Sequence, residues 1–439
     1  MTCTSRRLWS RREFIATGAM SVAGVMVGCA TNPVTGQSQL MLMSREQEIG
    51  MDRQYSPQQF SADYGTVQDK ALNTYLDRVG QKIAKKTHRP DMPYSFRAVN
   101  ATYVNAYAFP GGSIAATRGI LLKLENEAEL ASLLGHELGH VNARHTAQQM
   151  TKGTITQVLV GGLAAFAGTK GQIYGTLASS IGMVGAGALL ASYSRDNERE
   201  ADSLGMSYMV GAGYNPEGFV GLMEMLNTMS KRDASAFELM FATHPMSQER
   251  YDTAVKEAAR YPEARSNPVY KERYMDETAG LRAKADAIEN MQKAEIAMAR
   301  KNFAEAEQLL GKALEQAPDD YAGLVMMSKV QLALKNPKES DRYAEKAKTV
   351  YPQEAQGYYL SGFANLQNKD WEAAHADFAR YEKMLPGNPN AVFYQGLALE
   401  NTGSKESAAR EYYRYLRMTR EGNQAKYAYG RLVEWGYVK

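Results

Sequence analysis

Five residues, His136-Glu137-Leu138-Gly139-His140, have the types and the spacing to hold a metal ion and to move a proton beside it. On a helix, positions i and i+4 share a face, so the two imidazoles can converge on one ion. Glu137, between them, can face the ion's open position and take a proton from water. A catalytic zinc takes three protein ligands and keeps one position open, so the motif is one ligand short. A histidine six residues after His140, with glycine between, would complete one known pattern; those positions hold Thr146 and Ala143, and His145 is one residue out of register. A carboxylate from a later helix is the alternative, and "DNEREAD" offers Glu198 and Asp202 one turn apart. Glu198 is expected as the third ligand. Asp202 is expected to accept the ring N–H of a ligating histidine and so fix its tautomer. Glu200 points elsewhere on that helix and is the weaker candidate. The bland reading is a helix with two ordinary histidines, and the matching Glu-x-x-x-Asp pair argues against it.

Several elements must position these groups. Asn126 is expected to cap the motif helix, with Glu127 and Glu129 in its first turn. Before it, Tyr94–Asn100 alternates like a strand, and "VNAYAFPGGSIAATRGIL" reads as two extended segments flanking Gly111-Gly112. Ser113, Ile114 and Ala115 are expected on an edge strand that pairs with an extended substrate; an interior strand is the other possibility. Residues 44–86 read as helices broken near Ser56-Pro57. The Gly/Ala-rich residues 153–191 read as two buried helices, with a membrane hairpin as the alternative, although each run is about half the length needed to span. The ligand helix should end near Gly213, and "FATHPMSQER" reads as a loop leading into another helix. His244 lies in that loop, and Pro245 restricts it to extended backbone. Its role is open among a surface residue, a plug on the metal's fourth position, and a donor to the oxyanion of a tetrahedral intermediate.

The 439 residues suggest two to three domains, and the 44% hydrophobic and 23% charged fractions are those of a globular protein. The net charge of +3 comes from the first 28 residues, which hold four arginines and one acid; the remainder carries 47 basic and 47 acidic residues. Nucleic-acid binding therefore has no electrostatic support. Those 28 residues place Arg11-Arg12 ahead of Phe14 and a mildly apolar Gly/Ala-rich stretch that ends in Met26-Val27-Gly28-Cys29. This resembles a twin-arginine export signal fused to a lipoprotein box, with Cys29 as the acylated residue; an uncleaved anchor helix is the alternative. The only cysteines are Cys3 and Cys29. A mature chain beginning at an acylated Cys29 would have no free thiol, which excludes thiol catalysis and cysteine-bound zinc. Ala30 after the cysteine favours delivery to an outer membrane.

The C-terminal third has a different grammar. Pro318, Pro352 and Pro386 recur at 34-residue spacing. In the windows 287–320, 321–354, 355–388 and 389–422, position eight reads Ala294, Ser328, Gly362, Gly396, and position twenty reads Ala306, Ser340, Ala374, Ala408. Small residues there let paired helices approach closely. The pattern resembles the tetratricopeptide repeat, although Asn290 stands where an aromatic residue is usual, and implies a short superhelix with a concave face.

The segments "NPVTG", "NAYAFPGGSIAATRGIL", "GHELGHVNARH", "EREAD" and "THPMSQER" together resemble the gluzincin metallopeptidases of the HtpX and CAAX prenyl protease type, in the form that adds tetratricopeptide repeats. The resemblance implies one Zn2+ held by His136, His140 and Glu198, Glu137 as general base, Asp202 beside the ligands, and His244 as a plug. It implies a zincin fold, mainly helical with a small β-sheet, followed by an α-α superhelix. The expected organisation is an export signal (1–28), a tether (29–43), a peptidase domain (44–265), a linker helix (266–286) and a repeat domain (287–439). The expected function is a zinc endopeptidase of the bacterial envelope. It would degrade or process misfolded or stalled envelope or outer-membrane proteins, dock on the outer-membrane assembly machinery through its repeats, and attach to the membrane by its lipid alone. A chaperone or scaffold with dispensable proteolysis and a narrow processing protease are the competing readings. Intact His136, Glu137, His140 and Glu198 argue against the scaffold.

Overall fold

The computed structural model describes residues 29–34, 36, 38–40, 43–149, 193–232 and 240–438. The export signal and the helices expected within 153–191 lie outside them. The expected tether carries a two-stranded antiparallel ladder, β1 (Cys29–Thr31) with β2 (Ser38–Leu40). The peptidase body then runs α1 (Arg45–Ala62), α2 (Lys70–Ala84), β3 (Ser95–Val99), β4 (Ala106–Ala108), β5 (Ser113–Thr117), α3 (Arg118–Lys123), α4 (Glu127–Asn142), α5 (Arg195–Gly211), α6 (Glu217–Arg232) and α7 (Gln248–Ala258).

Helix α1 corrects the expectation of a break at Ser56-Pro57, because it continues through Pro57. Proline inside a helix costs about 3 kcal/mol, and contacts on both sides of it oppose that cost. Before it, buried Glu48 pairs with Arg144 (2.8 Å) and Arg89 (2.6 Å). After it, Phe60 packs against Tyr107 and Phe109.

The sheet order is β3-β5-β4, with β3 parallel and β4 antiparallel to β5. Ser113, Ile114 and Ala115 therefore lie on the middle strand. Both edges of that strand are already paired, so it has no free backbone groups for a substrate. The expected edge strand is corrected to β4. The outer side of β3 is met by the preceding loop, where Val67 N–H donates to the Ala98 carbonyl (2.8 Å), while β4 is the other outer strand and packs against α4.

Helix α4 is buried at every residue from Glu127 to Asn142. Leu130, Leu133, Leu134, Leu138 and Val141 join the main core, each buried leucine contributing about 1.5–3 kcal/mol. The Asn126 side chain accepts from Glu129 N–H, as expected of the cap, and the helix stops where Arg144 turns left-handed (φ 60°). Against α4 lies α5, and the two touch backbone to backbone. A Cβ on Gly139 would stand 2.7 Å from the Ala201 carbonyl oxygen.

The expected linker helix is instead two short helices, α8 (Lys271–Glu277) and α9 (Ala279–Arg282). They belong to the peptidase body, for Tyr274 and Leu281 sit in its core, and Tyr274 Oη donates to the Leu121 carbonyl (2.6 Å). Among the described residues nine helices follow: α10 (Ala285–Ala299), α11 (Phe303–Gln316), α12 (Tyr321–Ala333), α13 (Pro337–Val350), α14 (Gln356–Asn368), α15 (Trp371–Met384), α16 (Pro389–Asn401), α17 (Lys405–Met418) and α18 (Asn423–Glu434). The first eight are the four expected pairs. At their crossings the small residues do what the period implies: Ser328 and Ser340 hydroxyls meet at 2.9 Å, and a Cβ on Gly362 would touch the Phe378 ring at 2.9 Å. Helix α18 takes the first-helix place of a fifth window, with Gly430 at position eight. Nothing lies within 4 Å of where its Cβ would be.

The repeats close onto the peptidase body through a polar seam. Arg118 makes a buried ion pair with Asp320 (2.5 Å), and Thr102 and Tyr64 donate to Glu295 (2.6 and 3.2 Å). Glu354 accepts from both Ser61 and Tyr321.

Candidate metal centre

Helix α4 brings His136, Glu137 and His140 to one side of its crossing with α5, and α5 presents Glu198 to them. The segment ahead of α7 brings His244. All five side chains are buried. The ligand atoms of His136, His140, Glu198 and His244 lie within 4.8 Å of one another. His136 Nε2 is 3.1 Å from His140 Nε2 and 3.6 Å from Glu198 Oε2, and His140 Nε2 is 3.4 Å from Glu198 Oε1.

These residues fit a metal ion on the chemistry of the donor set. Ligand bonds of ~2.0–2.2 Å in a tetrahedron place the ligand atoms about 3.3–3.6 Å apart, and the observed separations of 3.1, 3.4 and 3.6 Å lie in or close to that range. His136 and His140 turn ring nitrogens towards each other at 3.1 Å, close to the spacing of two ligands on one cation. Glu137 Oε2 is buried without a hydrogen-bond partner. Protonation agrees. Burial holds His140 well below the usual histidine range, so it is a neutral donor. Burial opposes ionisation of Glu198, but His244, His140 and His136 together hold its carboxyl well below the usual range. Burial pushes Glu137 up, against the pull of His244 and His136.

Asp202 stands where the sequence placed it, 2.9 Å from His136 Nδ1. Arg250, which the sequence reading did not single out, holds Asp202 through Nε and Nη2 (both 2.7 Å) and lies 2.7 Å from Glu198. Burial of Asp202 is outweighed by this guanidinium, and its carboxyl is held below the usual range. Glu200 is turned away from the cluster, 3.2 Å from His145 Nε2. Tyr193 was also missed; its ring stacks on His140 at 3.8 Å. Spacing gives no sign of either Arg250 or Tyr193, since each reaches the site from a neighbouring segment. His244 is not a surface residue: its Nδ1 lies 3.3 Å from His136 Nε2 and 3.1 Å from Glu198 Oε1, at the fourth corner of the cluster. Its Nε2 is 3.8 Å from Glu137 Oε1. Burial disfavours its charged form, but Glu198 and Glu137 outweigh that and raise it.

Residues 70–258, which contain this cluster, match peptidase family M48. They form a family M48 peptidase domain. Residues 297–361 of the superhelix match the tetratricopeptide repeat. The chain is similar to the beta-barrel assembly-enhancing protease of Yersinia pestis, 30% identical over 230 residues, 51% of this chain and 46% of that protein. It is 26% identical over 259 residues to the protein of that name from Escherichia coli K12, covering 55% of this chain and 51% of the relative. To the metalloprotease YcaL of the same organism it is 32% identical over 158 residues, 36% of this chain and 59% of the relative. The chain spans about half the length of the curated relatives it matches. Among the described residues, the M48 domain and the repeats together account for the mainly helical architecture with its three-stranded sheet.

Proposed function

We propose that the chain is a zinc-dependent endopeptidase of the bacterial cell envelope, acting on misfolded or stalled envelope or outer-membrane proteins. The observation that carries this reading is the convergence of His136, His140 and Glu198 beside Glu137, whose buried Oε2 has no hydrogen-bond partner, in an M48 domain. Zinc in this site would supply Lewis acidity to the scissile carbonyl and to the attacking water. Glu137 takes a proton from that water and passes it to the leaving amine. The substrate lies extended, and β4 (Ala106–Ala108), an outer strand against α4, is the edge that would pair with it.

The names of the relatives and the repeat superhelix support docking on outer-membrane assembly machinery. The twin-arginine stretch and Cys29 support a periplasmic lipoprotein held by acyl chains; among the described residues no helix is long and apolar enough to cross a membrane. Glu137→Gln tests the reading. It should keep one zinc per chain by elemental analysis while peptide hydrolysis falls by about 10²–10⁴. Hydrolysis at the normal rate with zinc retained would remove Glu137 from its role as general base.

His244 is proposed as a plug on the fourth position. The placing of its Nδ1 beside His136 and Glu198 supports this over an oxyanion donor. His244→Ala should then raise peptide turnover or self-cleavage at matched zinc content. A fall by about 10²–10³ is the oxyanion outcome and sinks the plug.

A further inference from the structure

Beyond His140 the buried polar chain continues. His140 Nδ1 lies 2.9 Å from His145 Nδ1, and His145 Nε2 lies 3.2 Å from Glu200 Oε2. The His145 side chain is fully buried, and the side chain of Glu200 is 31% exposed. Tyr193 covers the face of the His140 ring, and its hydroxyl is 3.0 Å from Thr146 Oγ1. His145 is one residue out of register for a metal ligand, and Glu200 faces away from the cluster. Neither has a part in the chemistry above.

Only one arrangement of protons suits this chain when His140 is a ligand. The Nε2 of His140 faces His136 and Glu198 and must offer its lone pair, so its proton sits on Nδ1. That N–H needs an acceptor, and the atom in front of it is His145 Nδ1. His145 must then carry its own proton on Nε2, where Glu200 accepts it. Reversing the chain would put a proton on His140 Nε2, in the ion's place.

We propose that His145, braced by Glu200, is a positioning residue that fixes the tautomer and ring orientation of His140 for metal binding. Asp202 and Arg250 do the same for His136 by another device, a clamped carboxylate. The inference rests on the metal reading above. Outer partners of this kind are worth 10–100-fold in metal affinity.

The test measures zinc affinity of the full chain by competition with a chelating dye, alongside the melting temperature of the metal-free protein. His145→Ala and His145→Leu should each weaken zinc binding by about 10–100-fold, the leucine failing although it fills the space. His145→Gln should restore most of the affinity, since its carbonyl can accept from His140 and its amide can donate to Glu200. Glu200→Ala should weaken binding less than His145→Leu. Wild-type affinity in His145→Leu overturns the proposal, as does a loss in His145→Gln equal to that in His145→Leu while both metal-free proteins melt normally. A wild-type chain that holds no zinc would fail earlier and sink the metal reading itself.

Discussion

Gly139 in the M48 domain and Gly362 in the repeats both stand where two helices meet. On Gly139 a Cβ would strike backbone, the Ala201 carbonyl oxygen at 2.7 Å and Cα at 2.9 Å. On Gly362 it would strike a side chain, the Phe378 ring at 2.9–3.0 Å. Backbone cannot step aside without moving its helix, so the first contact sets the distance between α4 and α5, and with it the distance between His140 and Glu198. An aromatic ring can shift within its rotamer well, so the second contact sets only how tightly one repeat closes. The two regions use the same residue for different ends: the peptidase domain fixes a geometry, and the superhelix fills a volume.

The largest effect that would break this contrast lies at Gly139. Gly139→Ala should separate the ligand helices and lower peptide turnover by about 10²-fold, in line with a misplacement of about 1 Å, with reduced zinc content in the purified protein. Full turnover would show that the crossing tolerates slack. Gly362→Ala should be far milder. Overpacking of about 1–3 kcal/mol is offset by about 1 kcal/mol of helix propensity, so denaturant unfolding should shift by less than about 2 kcal/mol while turnover holds. A loss of turnover comparable to that of Gly139→Ala would mean that the repeats control the site. The smallest effect sharpens the picture at the seam between the regions. Burial pulls Lys329 down to about 8, against Glu295 and Glu354, which favour its charge. Its folded pKa is below its unfolded value, so between about pH 8 and 10 the unfolded chain binds more protons and stability rises with pH, by less than about 1.4 kcal/mol per unit. Lys329→Met should flatten that rise in thermal melts. An unchanged slope would place the titration elsewhere.

The sequence brought out the residues of the cluster because they obey helical spacing: His136 and His140 share a face, and so do Glu198 and Asp202. It showed the repeats because the 34-residue period recurs in small residues and prolines alike. It did not show which strand lies in the middle. β3 and β5 are parallel neighbours, and β4, though it precedes β5, pairs on its far side. Strand order is a long-range choice that local alternation does not encode. Pro57 misled because local propensity was outweighed by Glu48 and Phe60, whose partners lie far along the chain. Arg250 and Tyr193 were invisible for the same reason. Their contacts with the cluster join residues 48 and more apart, as in the pairing of Arg250 with Asp202.

Helix α18 holds the first place of a repeat, and Gly430 looks out on open space. In a stack of repeats, stability is close to a sum of terms between nearest neighbours. Helix α10 is gripped on two sides, by α11 and, through Glu295, by Thr102 and Tyr64 of the peptidase body, while α18 is held by α17 and by Gln424 and Tyr427, which reach Tyr394 and Glu400 of α16. Opening α10 therefore breaks the seam with the peptidase body as well as a repeat interface. The seam anchors the superhelix, and amide hydrogens should exchange more slowly in α10 than in α18.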